Sequence, residues 1–267
     1  MNIFKHEFRM NIRSIISWSI ANAILILVFM SIFTAFSKDA EILQQTLSQF
    51  PKELLIAFGL TGLDLSTVLG FFSFLFLFSQ ICLAIQASNY GFGLVSLEER
   101  DMTADFLLTK PVKRSTIMTS KLLAAVASLL VTDAVIWISS FVCINLFKGG
   151  RAYSNQTLIL LLVSVFPFEW FFLSVGILVS LLMRRVRSVT PLSMALAFGM
   201  YVINAFSGML GDVKLENITP FKHFEPAYIV TNAAYNLPLV LFNVAVILIS
   251  IVGSYLLYSR RNIHTAN

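Results

Sequence analysis

The sequence predicts an all-α, polytopic membrane protein with about six transmembrane helices, and three observations predict it. Charged residues are 12% of the 267 residues and hydrophobic ones 57%, with a mean hydropathy of +0.82, whereas a soluble domain carries about 25% charged residues. Apolar runs long enough to cross a hydrocarbon core, about 20 residues each, recur along the chain. Their hydrophobic residues are continuous rather than alternating. That selects helices over a closed barrel, the other structure that satisfies backbone polar groups in lipid.

The elements follow in order. Residues 1–13 read as an amphipathic helix lying on the membrane surface, because Phe4, Phe8 and Ile12 recur every four residues between Lys5, Glu7 and Arg9. It is not a cleavable signal: the span behind it is too long, and no small-residue cleavage site closes it. Spans are expected at 15–36, 68–87, 121–147, 157–183, 190–210 and 237–258, which together make one membrane domain over 1–267. The connection 37–67 holds an amphipathic piece that opens at Pro51 and closes at Gly59, the residues that suit the two ends of a short helix. The two longer external connections are expected to hold short helices that dip into the outer leaflet at the apolar runs 57–60 and 221–228, as an exit gate or as a simple lid.

The net charge of +5 is explained by topology rather than by nucleic acid. Lys5, Arg9, Arg13, Arg100, Lys110, Lys113, Arg114, Lys121, Arg184, Arg185, Arg187, Arg260 and Arg261 fall in connections on one side, leaving six of the 19 basic residues for the other. The richer side is cytoplasmic by the positive-inside rule. Both termini and the connection 96–121 are therefore expected in the cytosol of a multi-pass protein of the cell membrane.

The connection 96–121 holds more than topology asks for. Glu98, Glu99, Asp101 and Asp105 sit among its basic residues, and acids do little for orientation. From Leu97 to Thr109 there is no proline or glycine, and Pro111 ends the helix. Ser115 is expected to cap the next helix, which rises into the third span. A short helix with an apolar stripe and flanking charges suits a groove on a partner protein or a bed of lipid headgroups. The residues by themselves leave both open.

The run Glu98-Glu-Arg-Asp-Met-Thr-Ala-Asp-Phe-Leu-Leu-Thr-Lys-Pro-Val-Lys-Arg114, followed by Ser120-Lys121-Leu-Leu-Ala124, resembles the first cytosolic loop of ABC-2-type transporter permeases. That family has an acidic start, a Thr-x-x-x-Leu-Leu core, a Pro-Val-x-Arg corner and a lysine at the next helix. The N-terminal helix, the run Thr219-Pro-Phe-Lys-His-Phe-Glu-Pro226 and the six-span layout agree with the resemblance. It implies that Glu98, Glu99, Arg100, Thr103, Asp105, Phe106, Leu107, Leu108, Pro111 and Arg114 form a coupling helix and its corner, docked on a nucleotide-binding ATPase subunit. The chain has no Gly-x4-Gly-Lys-Ser/Thr phosphate loop. The implied machine therefore adds a second permease copy, or a related permease, and separately encoded ATPases that hold the ATP and Mg²⁺. This chain would bind no cofactor of its own. Export is the family's usual direction, and the aliphatic, phenylalanine-rich spans are compatible with an amphiphilic cargo.

Asp133 and Glu169 lie near the middle of the third and fourth spans. A charge there costs about 2.5–3.5 kcal/mol on insertion scales and usually faces protein or a water-filled cavity. They are candidates for a substrate path, or for interhelical hydrogen bonding alone. Pro167 is expected to bend the fourth helix beside Glu169. Gln80, Gln86, Asn89, Asn145, Asn204 and Asn243 read as packing residues, as do Cys82 and Cys143, neither of which has a ligand partner at zinc spacing.

The same residues fit rival functions less well. An intramembrane metalloprotease needs histidines within the spans, and His6, His223 and His264 lie outside them. The Glu98-Glu99 pair lacks the arginine that prenyl-protein proteases place where Met102 stands. A secondary transporter would use Asp133 or Glu169 as its proton site, but no internal repeat is evident.

Overall fold

The computed structural model describes residues 2–37, 46, 49–60, 62–100, 113–183, 186–210 and 214–260. Its helices are α1 (Asn2–Phe36), α2 (Lys52–Ala57), α3 (Val68–Arg100), α4 (Arg114–Phe147), α5 (Asn155–Val163), α6 (Val165–Leu182), α7 (Val189–Leu210), α8 (Pro220–His223), α9 (Pro226–Asn232) and α10 (Leu237–Arg260), with a 3₁₀ turn at Lys214–Asn217. Among the described residues, six spans are long and apolar enough to cross a membrane, α5 and α6 together forming the fourth.

Three boundaries differ from the sequence-based expectation. The N-terminal amphipathic stretch is not a separate element, because α1 runs unbroken from Asn2 to Phe36. Nothing between those residues is a glycine or proline, so no residue stops the helix. The second span also does not end near residue 87: its helix continues to Arg100 with no proline to stop it, and Gly91 and Gly93 are buried within the bundle. The third helix begins at Arg114 with Lys113 as its N-cap and no side-chain cap bond, so Ser115 is already inside the first turn. The coupling-helix residues Thr103, Asp105, Phe106, Leu107, Leu108 and Pro111 lie outside the described residues. Of Glu98, Glu99 and Arg100 only the helical backbone is described.

The fourth span is interrupted where a bend is expected. Ser164 separates α5 from α6, because Pro167 has no N–H to give to the Val163 carbonyl four residues back. The short helix behind Pro51 also forms as α2, and Gly59 follows it at φ +62°, where a side chain would be strained.

α3 is the central helix. Its most apolar window is 78% buried, against 61% for the fourth span and 17–39% for the other four. It packs on α1, α4, α6, α7 and α9, and its tightest crossing is with α6. There Gly91 meets Gly176 backbone to backbone: a Cβ built on Gly91 would lie 2.5 Å from the Leu173 carbonyl and 3.1 Å from the Gly176 Cα. Without a hydrophobic drive between helices in lipid, such small-residue contacts are what holds spans together. α1 lies along α4, and α10 along α6.

At the end of the bundle away from the termini, the segment behind α7 folds into the helices rather than over them. Thr219 accepts from the Phe221 N–H and donates to the Met200 carbonyl at 2.9 Å. Phe221 is then seated between Phe168, Phe172 and Tyr201, with ring centroids 5.1, 5.8 and 5.7 Å away. Gln80 Nε2 donates to the Phe224 carbonyl at 3.0 Å from the middle of α3. The expected packing role of Gln80 is met here, on backbone that no helix ladder satisfies.

His223, 2% exposed, completes this plug. Its Nε2 lies 3.2 Å from the Asn217 carbonyl and its Nδ1 3.4 Å from the Asn243 amide nitrogen. A carbonyl on one side and an N–H donor on the other suit a neutral ring protonated on Nε2. Burial holds the imidazole pKa below its ordinary value, against the opposing pull of the Asn217 carbonyl. The stability due to the neutral ring is therefore complete above the unfolded-state value near 6.5 and is lost as pH falls toward the lower folded-state value. Thermal stability in detergent is expected to drop as pH falls below about 6.5, and His223→Gln to flatten that slope. An unchanged slope in the variant would remove His223 as its source.

Candidate functional site

Two regions carry the sequence-derived candidates, and α4 connects them. The first is the root of the 96–121 connection. Lys121, 4% exposed, donates to the Leu94 carbonyl of α3 at 2.8 Å and pairs with Glu7 of α1 at 3.4 Å. One buried ammonium thus joins three helices at the place where the connection leaves and re-enters the bundle. Arg114 reaches the Tyr258 carbonyl near the end of α10 at 3.5 Å, and Thr119 bonds the Tyr255 hydroxyl at 2.7 Å. The start of α4 is therefore tied to α1, α3 and α10. These contacts also place the N-terminus of α1 and the C-terminus of α10 at the same end of the bundle.

From Lys121 a polar seam runs along α4 into the bundle. Ser128 and Thr132 follow on the same face at helical spacing, seven and four residues on. Ser128 accepts from Asn11 of α1 at 3.1 Å. Gln86 of α3 donates to Thr132 at 2.9 Å and to the Tyr90 hydroxyl at 3.3 Å, and Tyr90 in turn donates to Ser14 of α1 at 3.2 Å. Gln86, Ser128 and Thr132 are completely buried. In lipid such bonds are worth about 0.6 kcal/mol each on average, so the seam aligns α1, α3 and α4 more than it stabilises them.

The seam ends at the second region. Asp133 of α4 and Glu169 of α6 lie on different spans and meet at hydrogen-bonding reach, 7% and 1% exposed. A hydrogen bond between two carboxyl groups needs a proton between them. Asp133 Oδ1 and Glu169 Oε1 receive no donor from the protein. No lysine or arginine pairs with either carboxyl among the described residues. From Lys121 to Asp133 is twelve residues of helix, about 18 Å at 1.5 Å per residue. Asp133 therefore sits near the middle of α4, far below the root.

A groove of about 540 Å³ lies beside this pair, with Asp133 in its wall and Pro167, Phe166, Leu162 and Trp137 around it. The proline and the glutamate thus have related placements: Pro167 lines the groove, and Glu169 supports the acid in its wall. Sequence reasoning singled out both acids but missed their contact and the seam that leads to them. The spacing of Lys121, Ser128 and Thr132 on one helical face was the available signal.

A family model described as ABC-2 family transporter protein matches residues 1–263. No curated protein and no solved structure matches the chain.

Proposed function

The chain belongs to the ABC-2 transporter family, and from that premise we infer that it is the permease subunit through which a separately encoded ATPase drives export of an amphiphile. Permease of an ABC transporter is the family's role. Export, the cargo class and the ATPase are our reading. The observation that carries it is the root of the 96–121 connection, where Lys121 joins α1, α3 and α4 and where Arg114 and Thr119 reach α10. A push on that connection would move four spans as one body, because rigid helices joined by buried bonds do not bend independently.

In this reading Glu98, Glu99, Arg100, Thr103, Asp105, Phe106, Leu107, Leu108, Pro111 and Arg114 meet the ATPase, which holds the ATP and Mg²⁺. A second permease, identical or related, completes the path. Asp133 and Glu169 line that path. Both termini lie in the cytosol of the cell membrane, as the basic-residue asymmetry asks. The test is co-purification of the full chain with its ATPase: Phe106→Asp or Leu107→Asp is expected to abolish association and ATP-dependent transport. Undiminished association and transport would overturn the docking assignment.

The carboxyl pair favours one other reading, a carrier driven by a proton gradient. Transport in proteoliposomes that needs the gradient and no ATPase would establish it instead.

A further inference from the structure

The groove beside Asp133 has a feature that lipid packing does not explain. Its walls are apolar, formed by Leu130, Trp137, Ile138, Leu162 and Phe166 with Asp133 among them. Leu130, Ile138 and Phe166 are exposed on the outside of the bundle, so its mouth opens sideways onto the surface that the bilayer covers. A volume near 540 Å³ is that of a small-molecule site. Asp133 is more than nine-tenths buried, and its Oδ1 receives no hydrogen from the protein.

An acid in such a place needs a partner. The mutual hydrogen bond of the pair holds one proton, and an ammonium group arriving beside Asp133 would let the other carboxyl stand ionised. Within the described protein no cation stands beside it. A buried uncompensated charge is among the costliest features a protein can hold. The complement is a single positive charge on a body that dissolves in the apolar walls.

We propose that this groove is a binding site for a lipophilic monocation, an apolar chain or ring system bearing one ammonium group, which enters sideways from the bilayer and places its N–H donors on Asp133. Glu169 is the positioning residue: it faces Asp133 from α6 and shares the proton. Pro167, beside the interruption at Ser164, forms part of the wall against the apolar body. The inference rests on the permease reading above and names the class of amphiphile for that same site. Neutral amphiphiles would fit the walls but bring no charge to pair with an ionised carboxyl, and anionic ones would be repelled by it.

Trp137 in the groove wall provides the readout. The full chain, with Trp18→Phe and Trp170→Phe so that Trp137 is the single tryptophan, is placed in phosphatidylcholine nanodiscs. It is then titrated with 12-bromododecylamine or 12-bromododecan-1-ol. The amine is expected to quench Trp137 saturably at about tenfold lower concentration than the alcohol, a difference of about 1.4 kcal/mol. Asp133→Asn with Glu169→Gln should erase that preference. Ala134→Leu, which narrows the groove and leaves both acids in place, should weaken quenching by the amine.

Equal quenching by amine and alcohol in the parent chain would overturn the proposal, since it would mean that the groove takes only what partitions into the bilayer. A preference that survives removal of both acids would also overturn it. Should the doubly neutral chain fail to fold by circular dichroism, unweakened amine quenching in Ala134→Leu would do so. The measurement needs no ATPase. Its failure rejects the ligand class, whereas failure of the co-purification test rejects the permease reading.

Discussion

Gly91→Val is expected to prevent α3 from docking on α6 and to leave little folded protein in detergent. A Cβ at residue 91 would meet the Leu173 carbonyl at 2.5 Å and the Gly176 Cα at 3.1 Å. Both obstacles are backbone, so no side-chain rotation relieves them. Even Gly91→Ala must push two helices apart, at about the 1–3 kcal/mol typical of overpacking. Valine adds two methyl groups at the same crossing. The measure of the loss is how central the crossing is: among the described residues α3 is the most buried span, and it packs on α1, α4, α6, α7 and α9.

An internal control separates this clash from the ordinary effect of removing a helical glycine. Gly199 in α7 has nothing within 4 Å of a built Cβ. Gly199→Ala should therefore be neutral or stabilising by about 0.5–1 kcal/mol. The two alanine variants are compared by thermal unfolding followed by circular dichroism. Equal stability for Gly91→Ala and Gly199→Ala would show that the crossing is looser than described.

Lys121→Met should act on function more than on folding. Methionine keeps the length and apolar stem of the lysine but gives no hydrogen to the Leu94 carbonyl and no charge to Glu7. Hydrogen bonds to charged groups contribute about 1.5–3 kcal/mol each, so a loss of about 2 kcal/mol in stability is expected. A double-mutant cycle with Glu7→Gln then apportions it. Glu7 is 23% exposed and its pair is 3.4 Å apart, so the Leu94 bond should hold the larger share. In the assembled transporter, Lys121→Met is expected to lower ATP-dependent transport about tenfold, the effect of some 1.4 kcal/mol, while the ATPase still co-purifies. Full transport at normal association would mean that force does not pass through this junction.

Much of the molecule was legible from residue pattern. Continuous apolar runs located all six spans, since lipid leaves helical backbone almost no alternative. Pro167 announced the interruption at Ser164, and Pro51 with Gly59 announced α2. Boundaries were less legible where no breaker residue stands. The amphipathic spacing of Phe4, Phe8 and Ile12 between Lys5, Glu7 and Arg9 suggested a separate surface element; the helix itself runs straight on from there into the span. The same holds for α3 beyond residue 87. Hydrophobicity reports where a chain meets lipid, while helix termination is a backbone event that needs a proline, a glycine or a cap.

The sequence by itself determined the class of the protein, the number of its spans, its basic-residue asymmetry and the resemblance of its first charged connection. Each of these is carried by residues close together in the chain. Only the tertiary structure decided that Asp133 meets Glu169, that Lys121 joins three helices, that Gly91 faces Gly176, and that Phe221 sits inside the bundle. The physical reason is common to all four. A helix shows from its own pattern which residues share a face, but which face meets which neighbour depends on how well distant surfaces fit, and no local pattern encodes that fit.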